Sequence, residues 1–490
     1  MGAGIAQVAA MAGHTVKLMD NRPLAAAGAV SSIRSQMAKL VDKGKLSPER
    51  AAQAGSRLIA VGQLADLADA SLVVEAIVED LQAKQALYSA LEGVVGDDCL
   101  FGTNTSSISV TAIGAALQRP QRLAGLHFFN PAPVMALVEI VSGLATDPTV
   151  ADTLFATAVA WGKTPVHTTS TPGFIVNRVA RPYYGEALRL LTEGAADCAT
   201  LDAVMREAGG FRMGPFELMD MIGHDVNYAV TCSVWNAFYN DPRFLPSLVQ
   251  KELLDAGRLG KKTGRGFFDY REGADKPAAR NEAPRDLPSA ITIYGQSDAA
   301  RALAERLTQA SIRFTHVDST NGRVAMVGDA VVFVTDGRTA TQRAAENGVD
   351  NTVVIDLALD YAKATRLALA SAAQCSESAA ASAIALLQAC GLQVSRLADV
   401  PGLAVMRTVA MLANEAADAV YQGVCSAAAA DDAMRLGVNY PKGPLAWADQ
   451  LGLETVHTVL THLGASYGED RYRISPLIQR LVFSEKKFHD

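Results

Sequence analysis

At 490 residues, with 49% hydrophobic and 19% charged, the chain is globular and too long for a single hydrophobic core. A net charge of −7 argues against nucleic acid or an anionic membrane as the main partner, and no apolar run reaches the roughly 20 residues that span a bilayer. No basic segment followed by a long apolar stretch marks a signal peptide; six scattered cysteines without CxxC suit reduced thiols in a cytoplasm, not a disulfide frame or a zinc site.

The chain opens MGAGIAQVAAMAGHTVKLMD. A dinucleotide site needs a strand, a glycine-rich turn, a helix N-terminus for the pyrophosphate and an acid closing the next strand. Gly2 and Gly4 precede a helical stretch, and Asp20 closes the strand VKLMD (16–20). The strand before the glycines is missing. Either an internal Met has been taken as the start or the chain is truncated; as written it would bind a dinucleotide poorly. An acid at 20 suits NAD over NADP, whose extra phosphate it would repel. The competing reading of Asp20 is a helix cap.

Next comes a helix over 24–46 with Ser32 and Lys39 two turns apart on one face. Strands are expected at 72–77, 100–106, 122–128 and 137–142, with a helix at 81–93, which together form a mostly parallel sheet covered on both faces. His127 ends an apolar strand, in HFFNP, where such a sheet presents functional residues. Glu139 lies inside the apolar strand LVEIVS, and a buried acid there is costly unless paired. A His127–Glu139 pair explains both. Of the other histidines, His14 lies at a helix-to-strand turn, His224, His457 and His462 sit in helical regions without a matching acid motif, and none has metal-ligand spacing.

From Gly173 to about Leu254 the pattern is helical. GKKTGRGFFDY (260–270) is a basic turn, and residues 271–288 are charged and proline-bearing, as in a linker. Strands return at 290–295, 313–318, 330–335 and 352–357, after which the chain reads as helical to its end. TPGFIVNR (171–178) faces VPGLAVMR (400–407) at a constant offset, which also pairs Arg178 with Arg407, Glu186 with Glu415, Asp202 with Asp431, and Asp220 with Asp449. The organisation expected is therefore a dinucleotide-binding domain (1–170), a helical domain (171–272), a linker (273–288), a degenerate sheet domain (289–399) and a second helical domain (400–490). GQSDAA (295–300) has one glycine where a fingerprint needs three, nothing at 363–380 is like HFFNP, and Met406 stands opposite Asn177. The second copy thus reads as silent, a support that supplies an internal pseudo-dimer interface; a homo-oligomer is the alternative.

VVEAIVEDLQAK, FGTNTSSIS, LHFFNPAPVMALVEIV and TPGFIVNR, in this order and spacing, resemble the L-3-hydroxyacyl-CoA dehydrogenase family, including 3-hydroxybutyryl-CoA enzymes. The resemblance runs from residue 1 to about Tyr270 and recurs, weakened, after it. It implies a Rossmann-like α/β domain plus an all-α domain, present twice, and NAD-dependent oxidation of a 3-hydroxyacyl-CoA to the 3-oxoacyl-CoA in fatty-acid or aromatic-acid breakdown. His127 is then the base and Glu139 its partner, while Ser106 and Asn177 hold the substrate. Gly2, Asp20, Glu79, Lys84, Asn104, Ser106, Asn130 and Lys262 lie on the cofactor side; Ser32 and Lys39 meet the CoA; no metal is implied. A non-catalytic acyl-CoA- or NAD-binding relative is the alternative, because the glycine fingerprint is cut. Glu79 and Lys84 could also be a surface pair at i, i+5, too far round a helix to meet well.

Overall fold

The computed structural model describes residues 1–318 and 322–490. The first stretch runs α1 (Gly2–Met11), β1 (Val16–Leu18), α2 (Ala25–Asp42), α3 (Pro48–Ser56), β2 (Leu58–Ala60), β3 (Leu72–Glu75), α4 (Leu81–Glu92), β4 (Leu100–Thr103), α5 (Val110–Gly114), β5 (Leu123–Phe128), β6 (Leu137–Ser142), α6 (Pro148–Ala160) and β7 (Thr164–Thr169). β1 and β2 form a parallel pair; β3-β4-β5-β6-β7 form the first large sheet, parallel except for β5–β6. β5 is buried along its whole length and β6 all but its last residue, as strands covered on both faces must be. Tyr88, Leu91, Phe101 and Ile113 pack one face; Ile5, Leu126, Ile140 and Leu154 pack the other. Asp80 and Asp147 cap α4 and α6, which fixes where these helices begin.

The predicted strands are present with trimmed ends, and the helix expected over 24–46 stops at Asp42. β2 and β7 were not expected. TPVHTT is an edge strand with a proline at its second residue, and its burial is irregular, so it lacks the alternation that marks a strand.

The helices α7 (Val176–Val179), α8 (Arg181–Thr192), α9 (Cys198–Glu207), α10 (Pro215–Ile222), α11 (His224–Ala237) and α12 (Leu248–Asp255) follow. Residues 273–288 have no helix or strand, yet they are held down. The Arg280 N–H donates to Thr200 Oγ1 at 2.9 Å, and the Glu282 N–H donates to the Val394 carbonyl at 2.8 Å.

The second sheet is built from β8 (Ile291–Tyr294), β9 (Thr315–Val317), β10 (Ala325–Val327), β11 (Ala330–Val334), β12 (Thr352–Ile355), β13 (Arg366–Ser371) and β14 (Gln393–Arg396), with α13 (Asp298–Gln309), α14 (Ala340–Asn347) and α15 (Glu377–Ala389) between them. Its order is β14-β13-β12-β11-β10-β8-β9, with three antiparallel neighbours. The expectation of helix from 357 onward is overturned by β13 and β14. RLALAS has the composition of a helix, but sheet burial overrides that propensity. The chain ends with α16 (Val405–Tyr421), α17 (Ala427–Gly437), α18 (Pro444–Leu451), α19 (Leu453–Tyr467) and α20 (Pro476–Phe483).

These elements divide into two compact units, residues 1–178 with 422–438, and residues 179–421 with 439–490. In the first, α17 packs against β6 and β7, and the Thr169 N–H donates to the Val424 carbonyl at 3.0 Å. In the second, α9 packs against β13, where Arg366 Nε meets Glu207 Oε2 at 3.1 Å, and α16 packs against α8. At the α16–α8 contact Arg407, fully buried, donates to Glu186 Oε2 at 2.7 Å and Glu193 Oε2 at 2.9 Å. Among the described residues no helix is long and apolar enough to cross a membrane.

Candidate active site

The antiparallel register of β5 and β6 sets His127 directly opposite Glu139, and His127 Nδ1 lies 2.6 Å from Glu139 Oε2. Both are buried. The other carboxylate oxygen, Oε1, accepts the Ile175 and Val176 N–H groups at 3.0 Å each, at the start of α7. With Oε1 taken by two backbone donors, Oε2 is the acceptor that faces an Nδ1–H of His127. That leaves a lone pair on Nε2, the form a proton acceptor needs. Phe129 and Phe174 flank the ring, with centroids at 4.6 and 5.8 Å.

Asn104 ties the loop after β4 to this strand, its Oδ1 accepting the Phe128 N–H at 2.8 Å. In the same loop Glu79 Oε1 gathers the Thr105 hydroxyl (2.7 Å), the Ser106 and Ser107 N–H groups (2.9 and 3.0 Å) and, at 3.5 Å, the Ser106 hydroxyl. Burial pushes Glu79 up, but the Thr105 hydroxyl, the Lys84 ammonium and the serine donors outweigh it and hold its pKa down to about 2. Glu79 precedes α4 and is not on it, so the i, i+5 objection does not apply: Lys84 Nζ reaches Glu79 Oε2 at 3.2 Å. Lys84, buried, also meets Glu75 Oε1 at 2.7 Å, and Thr103 donates to Glu75 Oε2 at 2.7 Å. Glu75 was missed; the acid in VVEAIVED was the available signal.

The N-terminus of α1 has no side-chain cap, which leaves first-turn N–H groups for an anion. A Cβ on Gly4 would lie 3.2 Å from Pro133 Cδ and 3.3 Å from Ala132 Cβ; the helix start is pressed against the loop that carries Asn130, itself exposed. Lys163 props that loop, donating to the carbonyls of Ala132 (2.6 Å) and Met135 (2.8 Å); no motif marked it. Gly2 opens α1 and is exposed. Asp20 does not cap α2, which starts at Ala25; Arg22 grips it through Nε and Nη2 at 3.0 Å each, and that hydrogen bonding holds its pKa down to about 2. A helix N-terminus, a close-packed glycine and an acid held ionised two residues past the next strand fit a dinucleotide.

Asn177 stands on α7, beside the Val176 that anchors Glu139, and so within the first unit. Ser32 and Lys39 lie on the exposed face of α2 while Ile33 and Met37 face inward. Lys262 lies in the second unit, where its ammonium pairs with Asp225. The expectation that His224 lacks an acid is overturned. Asp220 Oδ1, one helical turn away across Gly223, lies 2.8 Å from its Nε2, and the same carboxylate takes the Phe267 and Phe268 N–H groups. Among the described residues no cluster of His, Cys, Asp and Glu could hold a metal.

The second sheet holds a different arrangement. The offset that pairs Arg178 with Arg407 brings His127 to Asp356, not to the 363–380 stretch, and Glu139 to Ala368. The Asp356 N–H bonds the Ala368 carbonyl at 2.9 Å. The Asp356 carboxylate is fully engaged by the N–H groups of Leu357, Ala404, Val405 and Met406 at 2.8–3.0 Å.

Residues 1–171 match the family model for the 3-hydroxyacyl-CoA dehydrogenase NAD binding domain, residues 173–270 and again 402–488 match that for the C-terminal domain, and residues 332–401 match that for the 3-hydroxybutyryl-CoA dehydrogenase reduced Rossmann-fold domain. The chain is 45% identical over 489 residues to the 3-hydroxyadipyl-CoA dehydrogenase of Escherichia coli K12, covering 100% of this chain and 96% of that protein. It is 38% identical over 272 residues to a probable 3-hydroxybutyryl-CoA dehydrogenase of Bacillus subtilis, covering 56% and 94%. A crystal structure of 3-hydroxybutyryl-CoA dehydrogenase from Escherichia coli K12 superposes with a TM-score of 0.90 at 45% identity, covering 99% of this chain and 96% of that one.

Proposed function

The chain belongs to the 3-hydroxyacyl-CoA dehydrogenase family and is an NAD-dependent oxidoreductase acting on 3-hydroxyacyl-CoA; within that reaction we propose that His127 is the base and Glu139 the group that orients it. The observation that carries this is the 2.6 Å contact between Nδ1 and Oε2 across β5–β6. His127 Nε2 takes the hydroxyl proton of the L-3-hydroxyacyl thioester, and the Glu139 carboxylate stabilises the imidazolium that forms. Bound NAD supplies the hydride acceptor. Ser106 and Asn177 hold the substrate oxygens, positioned by the Glu79 cluster and by the α7 start that Glu139 fixes. The α1 N-terminus with Gly2 cradles the pyrophosphate, Asp20 takes the ribose, and Glu79, Lys84, Asn104 and Asn130 build the nicotinamide side. Ser32 and Lys39 meet the CoA from α2. Run backward, the imidazolium returns its proton to the carbonyl oxygen as the carbonyl carbon is reduced.

The domain organisation set out from the sequence goes with this reading, the second half being a degenerate copy. In support, β5 and β12, β6 and β13, α6 and α15, and β7 and β14 each begin at the same offset that separates Arg178 from Arg407. Asp220 and its counterpart Asp449 also each tie down a downstream chain segment, Asp449 through the Phe488 N–H and His489. With Asp356 and Ala368 in place of the His–Glu pair, the second copy is a scaffold. α17 on the first sheet and α9 on the second give the exchange of helices that a dimer of shorter chains would make, here within one chain acting in the cytoplasm.

The full-length relative named for 3-hydroxyadipyl-CoA supports a substrate with a second carboxylate. Steady-state NADH-forming assays with 3-hydroxyadipyl-CoA and 3-hydroxybutyryl-CoA, with NAD and with NADP, test these readings. A higher kcat/KM for the dicarboxylic substrate and for NAD is expected; equal values for the two thioesters remove the dicarboxylate preference.

A further inference from the structure

We propose that Gly437, the last residue of α17, is a positioning residue for the His127–Glu139 pair, an inference that rests on the dehydrogenase reading above. Gly437 has a helical backbone, so no left-handed conformation requires a glycine there; what requires it is space. A Cβ at this position would lie 2.7 Å from Leu137 Cδ2, 3.0 Å from Val176 Cγ2 and 3.7 Å from Phe129 Cε1.

Each of the three neighbours is one step from the pair. Leu137 is two positions before Glu139 on β6 and so on the same face of that strand. The Val176 N–H is one of the two that bind Glu139 Oε1. Phe129 flanks the His127 ring at 4.6 Å. The segment that delivers Gly437 is fastened at its other end, where the Val424 carbonyl takes the Thr169 N–H at the edge strand β7. Cys425 beside it is close enough to Glu139 for that charge to contribute to the rise of its thiol pKa, burial being the larger cause. A stretch of the second half, far from His127 in sequence, thus closes the back of the pair, and a glycine lets it approach.

A side chain at 437 must push outward against residues that set the imidazole's place, and a small misplacement of a catalytic group costs rate without costing cofactor binding. The test is steady-state kinetics on the full chain for wild type, Gly437→Ala, Gly437→Val and the double variant Gly437→Ala/Leu137→Val, which removes the Leu137 Cδ atoms the new methyl would meet. Graded loss of kcat is expected, about tenfold for Gly437→Val, with KM for NAD within about twofold and recovery of the Gly437→Ala loss in the double variant. Should Gly437→Val not fold, the Ala pair decides alone. The proposal is overturned if the folded variants keep wild-type kcat, if KM for NAD rises as kcat falls, or if Leu137→Val restores nothing. Wild-type activity that survives loss of His127 would instead sink the dehydrogenase assignment itself, so the two failures are distinguishable.

Discussion

Glu139 and Asp356 do the same structural work from different strand positions. Glu139, on β6, accepts the Ile175 and Val176 N–H groups. Asp356, just past the end of β12, accepts those of Ala404, Val405 and Met406, and Ala404 and Val405 stand at the same offset from Ile175 and Val176 that separates Arg407 from Arg178. In the first sheet one carboxylate thus serves a helix start and a histidine. In the second sheet Asp356, at the position the constant offset gives for His127, serves the 404–406 turn and the neighbouring Leu357 N–H.

Glu139→Gln separates these duties. The amide oxygen can still accept the Ile175 and Val176 donors, but its N–H₂ faces His127 Nδ1 and forces the proton onto Nε2, the wrong tautomer for a base. A fold-preserving loss of kcat of about 10²-fold or more is expected, measured by NADH formation with circular dichroism as the control.

Asp356→Asn should do the reverse. Its amide N–H₂ confronts backbone donors that have no other acceptor, which costs about 2–4 kcal/mol of stability and lowers Tm. Activity per folded molecule should stay at the wild-type level. A large fall in kcat at unchanged Tm would remove the scaffold role of the second sheet.

Arg407→Met leaves Glu186, 1% exposed, without its closest guanidinium, with only Arg471 Nη1 at 3.7 Å and the Tyr472 hydroxyl at 2.9 Å still facing it. Breaking one side of such a buried pair costs about 3–5 kcal/mol, so the midpoint of urea unfolding should drop sharply.

Glu79 gives a pH dependence with a definite sign. Its folded pKa, about 2, lies below the ordinary 4.5, so its stabilising contribution is complete above about 4.5 and is lost as pH falls toward 2. The Tm difference between wild type and Glu79→Gln should stay flat from about pH 8 to about pH 5 and narrow below that. A difference that shrinks near neutrality would contradict the cluster geometry.

The first sheet was legible because its strands are apolar runs with motif residues at their ends, and the His127–Glu139 pair because a histidine and an acid inside such runs each need a partner. What escaped has physical causes. β13 has a helix former's composition and is a strand only because the sheet buries it. Lys163 acts through backbone carbonyls, which leave no pattern in sequence. The Asp220–His224 contact spans Gly223 and two short helices, and the i, i+4 spacing that could have revealed it was passed over. Asp356 carries no motif of its own: a lone acid after an apolar strand shows its role only once the backbone N–H groups of residues 404–406 are in place.

His127→Ala tests the role of His127 as the proton acceptor most directly. In steady-state oxidation of 3-hydroxybutyryl-CoA the variant should lose about 10²–10⁴-fold in kcat while NAD binding, read by calorimetry, is nearly unchanged. A variant that keeps more than about a tenth of wild-type kcat would contradict the assignment.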